Sequence, residues 1–305
     1  MLASHVNPEA DAIGSIMAIG MALESMGKKP YMYNVSGVPN NLMEFALVDR
    51  VSSELPTWKP DVLAVLDCGD LDRIGPEAVK AFRDVETIVN IDHHSTNDMF
   101  GHINWVVTDV SSTGEMIVDL IEETGASWSP DMADWVLAAI VADTGGFRFS
   151  NTTAKTYLTA AKMVERGASP ATVSRRIFGN IPEGTVKLLG MALSTLDIRR
   201  DMKLATMEVT MEMFAKTGAG PDAVEGFIEH PRSLSGIEVA AVFRQVDEDK
   251  YKVSLRSNGY VDVGAVAYSF GGGGHRQAAG FSIDGKLENV KAKLREAIVD
   301  IGDAS

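Results

Sequence analysis

The chain has 305 residues, of which 45% are hydrophobic and 23% are charged, and its formal net charge is −14. This composition is that of a folded globular protein, and the length is enough for two domains of ordinary size. The acidic balance argues against a face that grips long duplex nucleic acid, because such faces are usually basic. A cleft with a few arginines and metal ions could still hold a short polyanion.

The cysteine count and the hydropathy pattern indicate a cytoplasmic protein. Cys68 is the single cysteine, so no disulfide forms within the chain, which fits a reducing compartment. The longest uncharged stretch near the N-terminus, residues 12–23, is too short to span a bilayer, and no basic segment precedes it. No membrane association is therefore expected.

The first two-thirds of the chain alternates strand-like and helix-like segments. Apolar runs of strand length occupy residues 61–67, 86–91 and 102–107. Helical patterns occupy residues 11–26, 113–124 and 130–142. Strands that are apolar throughout, with helices between them, predict a parallel sheet covered by helices on both faces.

The last part of the chain has a different pattern. Helical segments at residues 153–166, 170–178 and 182–195 are followed by strand-like segments at 204–210, 237–246, 251–257 and 280–283. Two further helices are predicted at residues 221–229 and 287–301. The predicted fold class is α/β, with a parallel-sheet domain over residues 1–178, a helical linker over 179–195 and a smaller α/β domain with a mixed sheet over 196–305.

Acidic and histidine side chains follow three strand candidates and one helix. In chain order they are His5, Glu9 and Asp11, then Asp67, then Asp92, His93 and His94, and finally Asp143. Because ligands of open parallel sheets bind outside the carboxyl ends of the strands, we expect these side chains at one edge of the sheet. A single aspartate in such a place is more often a helix cap or turn former, but several together favour a metal site.

The ligand types indicate which metal ions and which chemistry to expect. Imidazole and carboxylate together suit Mn, Fe, Co or Zn better than Ca or Mg. Two divalent ions would neutralise the four candidate carboxylates, Glu9, Asp11, Asp67 and Asp143, which would otherwise repel one another. Two adjacent ions can activate water and stabilise both oxygens of a displacement at phosphorus. The pattern therefore predicts a two-metal site for the hydrolysis of a phosphate ester.

The second domain carries a separate signal. A run of four glycines at residues 271–274 precedes His275 and Arg276. Successive glycines let backbone N–H groups approach an anion, although a glycine run is more often a flexible turn. Arg256 and Ser257 end a nearby strand; arginine suits bidentate phosphate contacts, and a surface arginine is an equally good interpretation of Arg256. Together these residues predict a site that holds a substrate phosphate or nucleotide.

The ordered motifs resemble the DHH phosphoesterase superfamily, followed by its DHH-associated C-terminal domain. They are H-x-N-P-x-x-D-A-x-G-S from residue 5, L-D-C-G-D from residue 66, D-H-H from residue 92, A-D-T-G from residue 142, S-L-R-S from residue 254 and G-G-G-G-H from residue 271. The resemblance covers nearly the whole chain. The two-domain length is similar to the group of bifunctional oligoribonucleases and 3′-phosphoadenosine-5′-phosphate (pAp) phosphatases.

The resemblance implies a role for each motif residue. One metal ion would be held by His5, Glu9 and Asp67, and the other by Asp11, Asp67, His93 and Asp143. Asp67 would bridge the two ions, His94 would contact the scissile phosphate and Asp92 would orient the histidines. The substrate would be bound by Arg256, Ser257, Gly272, Gly273, Gly274 and His275. The usual metal would be Mn²⁺, with Mg²⁺, Co²⁺ or Fe²⁺ as alternatives. The first motif commonly has aspartate where this chain has Glu9.

The predicted activity is hydrolysis of short oligoribonucleotides to nucleoside monophosphates, of pAp to AMP, or of both. A phosphodiesterase for cyclic or linear dinucleotides shares these motifs and remains an alternative, as does a nucleotide-binding sensor without catalytic activity. The expected partner is a short oligoribonucleotide or small nucleotide, with no long duplex nucleic acid and no membrane, and a homodimer is compatible with the sequence.

Overall fold

The computed structural model describes residues 1–302. The chain divides into two compact units, the first over Met1–Asn180 and the second from Ile181 onward. Each unit contains one six-stranded sheet. Among the helices of residues 1–302, none combines the length and the apolar character needed to span a bilayer.

The sheet of the first unit is parallel throughout, as predicted. Its strands are β1 (Leu2–Ala3), β2 (Met32–Tyr33), β3 (Val51–Ser52), β4 (Val62–Leu66), β5 (Thr87–Asp92) and β6 (Ile103–Val106). Their spatial order is β3-β2-β1-β4-β5-β6, so the winding reverses between β1 and β4. In such sheets this reversal opens a crevice at the carboxyl ends of the two strands.

Six helices surround this sheet, and a side chain caps the N-terminus of most of them. They are α1 (Ala10–Ser25), α2 (Pro76–Phe82), α3 (Thr113–Thr124), α4 (Pro130–Asp143), α5 (Ala154–Glu165) and α6 (Pro170–Phe178). The hydroxyls of Ser112, Ser129, Thr153 and Ser169 each accept a hydrogen bond from a backbone N–H of the first turn. Gly125 ends α3 in the left-handed conformation.

Successive strand residues point to opposite faces, and each face is buried. Leu2, Leu66 and Ile91 face the core formed with α1, α3 and α4. Leu63 and Val65 face the opposite core, which includes Ala78, Val79 and Phe82 of α2. Helices therefore cover both faces of the sheet, and the predicted fold class is confirmed.

The second unit contains a mixed sheet in the order β11-β12-β10-β9-β8-β7, in which only β8 and β9 run parallel. The strands are β7 (Asp197–Arg199), β8 (Leu204–Val209), β9 (Val239–Asp247), β10 (Lys250–Ser257), β11 (Gly273–His275) and β12 (Ala278–Asp284). The helices are α7 (Glu183–Leu193), α8 (Met211–Thr217), α9 (Glu229–Arg232), α10 (Val263–Ser269) and α11 (Leu287–Gly302).

Both faces of the second sheet are also covered. Helices α10 and α11 pack on one face through Val266, Leu294 and neighbouring side chains. Helix α7, which occupies the segment expected as a linker, packs on the other face through Leu188 and Ala192. One prediction was wrong: residues 221–229 form a short 3₁₀ turn at Pro221–Val224 rather than a helix. Gly226, with φ of 78°, interrupts the segment before α9.

Candidate metal centre

Three adjacent strands deliver side chains to the point where the winding of the first sheet reverses. His5 follows β1, Asp67 directly follows β4, and His93 directly follows β5. Asp67 has φ of 53°, a left-handed conformation that is unusual for a residue other than glycine. Such backbone strain is concentrated at functional sites.

Asp67 lies at the centre of this group. His5 Nε2 is 3.7 Å from Asp67 Oδ2, and His93 Nε2 is 3.6 Å from Asp67 Oδ1. Burial acts to raise the pKa of Asp67, but the contact with His5 and the charge of His94 outweigh it and lower the pKa. Asp67 is therefore a carboxylate at neutral pH, buried among imidazole nitrogens.

Asp11 and Asp143 approach the same histidine from two helices. His93 Nε2 lies 3.8 Å from Asp11 Oδ2 and 3.6 Å from Asp143 Oδ2. These separations are too long for hydrogen bonds. They are compatible with ligand atoms that each lie about 2 Å from one shared ion.

Burial and mutual repulsion determine the protonation of these groups. Burial, followed by the charges of Asp67 and Asp143, raises the pKa of Asp11 well above its ordinary value. Burial, followed by Asp67 and Glu9, raises the pKa of Asp143 to about 7. Burial lowers the pKa of His93, which leaves its imidazole neutral and able to act as a ligand. A divalent cation would relieve the repulsion between the carboxylates.

Two sets of three side chains among residues 1–302 have ligand atoms within 4.8 Å of one another. The first set is Asp11, His93 and Asp143, and the second is Asp67, His93 and His94. Their donor atoms are carboxylate oxygens and imidazole nitrogens, which fit a divalent metal ion. Glu9 belongs to neither set: it is an exposed residue at the N-cap of α1, although its charge raises the pKa of Asp143.

His94 and Asp92 form a hydrogen-bonded pair beside the metal candidates. His94 Nδ1 lies 2.7 Å from Asp92 Oδ1. The hydrogen bond with Asp92 raises the pKa of His94 to about 9, against the effect of burial. Although burial acts to raise the pKa of Asp92, hydrogen bonds from His94 and Asn97 lower it. At neutral pH, His94 is thus a fixed cation at the edge of the site.

Several residues that hold the site in place were not predicted from the sequence. Thr113 and Gly114, at the start of α3, each donate a backbone N–H to Asp11 at 2.7 Å. The threonine hydroxyl also donates to Asp67 Oδ1 at 3.3 Å. The capping pattern of Ser112 before α3 marks this helix start, but no local signal connects it to Asp11, because the two segments lie far apart in sequence.

Asp70, Arg73 and Cys68 lie close to Asp67 in the chain and differ in what they contact. Arg73 Nη2 lies 3.2 Å from His5 Nδ1, so this arginine helps to hold the imidazole ring of His5 in its orientation. Asp70 caps the 3₁₀ turn Leu71–Ile74 by accepting from Asp72 N. Cys68 lies in the core on the opposite face of the sheet, and burial raises the pKa of its thiol to about 12, so it is not a thiolate ligand.

In the second unit, the strand register places two predicted substrate residues in one row. Arg256 on β10 pairs with Ala278 on β12, and Ala278 pairs with His275 on β11. Directly opposite residues of antiparallel strands share a face, so Arg256 and His275 flank the small side chain of Ala278. Ser257 is fully buried, and its hydroxyl donates to Glu238.

The glycine run is part of the sheet and of a helix end rather than an open loop. Gly273 and Gly274 belong to β11. The N–H groups of Gly271 and Gly272 donate to the carbonyls of Tyr268 and Ala267 at the end of α10. A Cβ at Gly272 would lie 2.3 Å from the carbonyl oxygen of Gly280, so this position requires glycine for close packing against β12. The run is therefore an ordered segment, and its contact with a substrate phosphate stays a prediction.

Comparisons with known proteins agree with both units. The model of the DHH family, N-terminal domain, matches residues 1–140, and the model of the DHHA1 domain matches residues 201–300. The bifunctional oligoribonuclease and PAP phosphatase NrnA of Thermus thermophilus is 33% identical over 97% of this chain and 88% of its own length. The protein of the same name from Bacillus subtilis is 30% identical over 93% of this chain and 88% of its own length.

A solved structure gives the same result for the fold. An exopolyphosphatase-related protein from Bacteroides fragilis superimposes with a TM-score of 0.90 and 25% identity, covering 99% of this chain and 92% of that one. The fold and the grouped acidic and histidine side chains define a phosphoesterase, that is, a hydrolase of phosphate esters. The chain belongs to the DHH family, and the resemblance seen in its sequence motifs is confirmed.

Proposed function

We propose that this phosphoesterase hydrolyses short oligoribonucleotides to nucleoside monophosphates and pAp to AMP, in the cytoplasm, with two Mn²⁺ ions. The observation that carries the proposal is the convergence of Asp11, Asp67, His93 and Asp143 within one buried group. The substrate class is supported by the activities for which the relatives from Thermus thermophilus and Bacillus subtilis are named, each of which is similar to this chain over nearly all its length.

The proposed ligands are those assigned by the motifs. Asp11, His93 and Asp143 would hold one ion, His5 and Glu9 would hold the other, and Asp67 would contact both. When bound, the ions would supply a nucleophilic hydroxide and neutralise charge on the phosphoryl oxygens. The neutral state of His93 and the ionised state of Asp67 support their assignment as ligands.

The remaining site residues would orient the substrate and stabilise charge. His94, kept cationic by Asp92, would donate a hydrogen bond to the scissile phosphate as negative charge develops on it. Arg256 and His275 would bind a second phosphate or the base, and the backbone around Gly272, Gly273 and Gly274 would shape that pocket. A bidentate guanidinium contact suits a phosphate group.

The test is a metal-restoration assay on the full-length protein with several substrates. Protein stripped with chelator would receive Mn²⁺ or Mg²⁺. The release of AMP from pAp, the release of mononucleotides from a diribonucleotide and a pentaribonucleotide, and the hydrolysis of cyclic di-AMP would be followed. We expect Mn²⁺ to restore hydrolysis of pAp, of the RNAs or of both. Hydrolysis of cyclic di-AMP alone would contradict the substrate assignment, and binding without hydrolysis of any substrate would contradict the enzyme assignment.

A further inference from the structure

Two arginines of the second unit converge on a single carboxylate. Arg232 Nη1 lies 3.3 Å from both carboxylate oxygens of Glu229, its neighbour on α9. Arg256, near the end of β10, places Nε 3.9 Å from Glu229 Oε1. An ordinary ion pair between residues three apart on a helix accounts for the first contact, but it does not account for a second arginine from another element.

Arg232 is held in a fixed orientation by Asn258. Its Nε donates to Asn258 Oδ1 at 3.2 Å. Asn258 Nδ2 donates in return to the carbonyl oxygens of Arg232, at 3.3 Å, and of Ile237, at 2.9 Å. The guanidinium group is therefore pre-oriented, which reduces the entropy lost when it binds an anion.

Arg256 has more hydrogen-bonding capacity than its surroundings use. Among residues 1–302, its guanidinium donates one hydrogen bond, from Nη1 to the carbonyl of Leu255 at 3.0 Å. A guanidinium carries five N–H donors. Burial and the nearby charge of Arg232 both lower the pKa of Arg256, against the effect of Glu229. An anion with more acceptor oxygens than one carboxylate would satisfy both arginines better.

We propose that Arg232 joins Arg256 in binding the second phosphate of the substrate nucleotide, the one that is not hydrolysed. This phosphate displaces the Glu229 carboxylate from between the two arginines. The proposal rests on the proposed function, because it names the part of the second unit that would recognise a bisphosphorylated nucleotide. Arg232 is a specificity-determining residue in this account, and Glu229 is an internal competitor of the phosphate. Neither residue carries a sequence motif.

The test is calorimetric titration of the full-length protein with pAp and with adenosine, in the presence of EDTA so that no turnover occurs. We expect Arg232→Gln to weaken pAp binding by about 10-fold or more, because it removes charged hydrogen bonds. Adenosine, which has no phosphate, should bind with unchanged affinity. Arg232→Lys keeps the charge but not the fork of donors, and should give an intermediate loss.

Two further variants complete the experiment. Glu229→Gln should tighten pAp binding by several-fold, because the competing charge is removed. Arg199→Gln is the matched control, since Arg199 forms an exposed pair with Asp197 on β7, and it should bind pAp like the wild type. Thermal unfolding of each variant would confirm that it is folded.

Equal pAp affinity for Arg232→Gln and Arg199→Gln would overturn the proposal. The absence of pAp binding by the wild type would also overturn it, as would a loss of adenosine affinity in Arg232→Gln equal to its loss of pAp affinity. Failure of the proposed function is distinguishable from these outcomes. If the pAp affinities change as expected but the Mn²⁺-loaded wild type hydrolyses neither pAp nor RNA, the arginine site stands and the enzyme assignment fails.

Discussion

Asp11 accepts a hydrogen bond of 2.7 Å from the backbone N–H of Thr113, which lies 102 residues further along the chain. Gly114 donates to the other carboxylate oxygen at the same distance. The carboxylate is thus held at the N-terminus of α3, where the helix dipole favours negative charge. The position of this candidate ligand depends on the packing of α1 against α3 as well as on its own helix.

The first prediction concerns that packing. A Cβ at Gly114 would lie 2.4 Å from Ala139 Cβ on α4 and 3.2 Å from Asp11 Oδ1. Gly114→Ala should therefore destabilise the protein by about 1–3 kcal/mol through overpacking, and should weaken metal binding by shifting Asp11. Denaturant unfolding and metal titration would measure the two effects. Gly190→Ala on α7 is the control, since nothing lies within 4 Å of its added Cβ; equal behaviour of the two variants would contradict this account.

The second prediction concerns the charge of His94. Asp92→Asn removes the carboxylate whose hydrogen bond raises the pKa of His94 to about 9. In the metal-free variant the pKa of His94 should fall by about one unit or more. Histidine resonances followed by NMR across a pH titration would measure it, with the exposed His230 as an internal reference. An unchanged pKa of His94 would show that Asp92 does not set its charge.

The third prediction concerns the pH dependence of metal-free stability. Burial and Asp67 raise the pKa of Asp143 to about 7 in the folded protein, above its ordinary value of 3.8. A raised carboxyl pKa means that the folded state binds the proton more tightly than the unfolded state. The stability contributed by this proton is fully present below about pH 3.8 and is lost progressively as pH rises from there through about 7.

Asp143→Asn removes this ionisation. Without metal, the variant should unfold at a higher temperature than the wild type, by a margin that is smallest near pH 3.8, grows as pH rises through about 7 and is constant above it. With saturating Mn²⁺ the wild type should unfold at the higher temperature at alkaline pH, because bound metal stabilises only a protein that holds it. Glu123→Gln, at an exposed position of α3, is the control. A temperature difference that does not vary with pH would contradict the assignment.

The fourth prediction distinguishes two neighbouring glycines. Gly272→Ala should destabilise the second unit, because the added Cβ would lie 2.3 Å from Gly280 O and 2.4 Å from Phe281 Cβ. Gly273→Ala should be close to the wild type in stability, since its Cβ would have no neighbour within 4 Å. Urea unfolding would compare them. Similar losses of stability in the two variants would mean that the glycine run is needed for conformational freedom rather than for packing against β12.

The long, strongly patterned elements could be predicted from the sequence. The apolar runs at β4 and β5 and the periodic segments at α3, α4 and α6 have local signals that agree with the fold. The two-residue strands β2 and β3 lack enough residues to show any period. Strand β11 consists of Gly273, Gly274 and His275, and it forms only because β12 pairs with it.

The site could be predicted as a set of residue types but not as a set of contacts. Asp67 and His93 follow apolar strands directly, so strand-end reasoning located them. The support of His5 by Arg73 joins residues 68 apart in the chain and carries no local pattern. The same is true of Arg232 and Asn258, whose mutual hydrogen bonds depend on the packing of α9 against β8 and β9, close to the end of β10.

The most direct test of the central claim is metal content and activity of Asp67→Asn compared with the wild type. Asp67 is 4% exposed and lies next to three histidines, so its loss should disturb every candidate ligand set. We expect the variant to fold, to bind little Mn²⁺ by elemental analysis after dialysis, and to lose about 10³-fold or more of its phosphoesterase activity. Wild-type Mn²⁺ content together with wild-type hydrolysis in Asp67→Asn would contradict the metal centre described here.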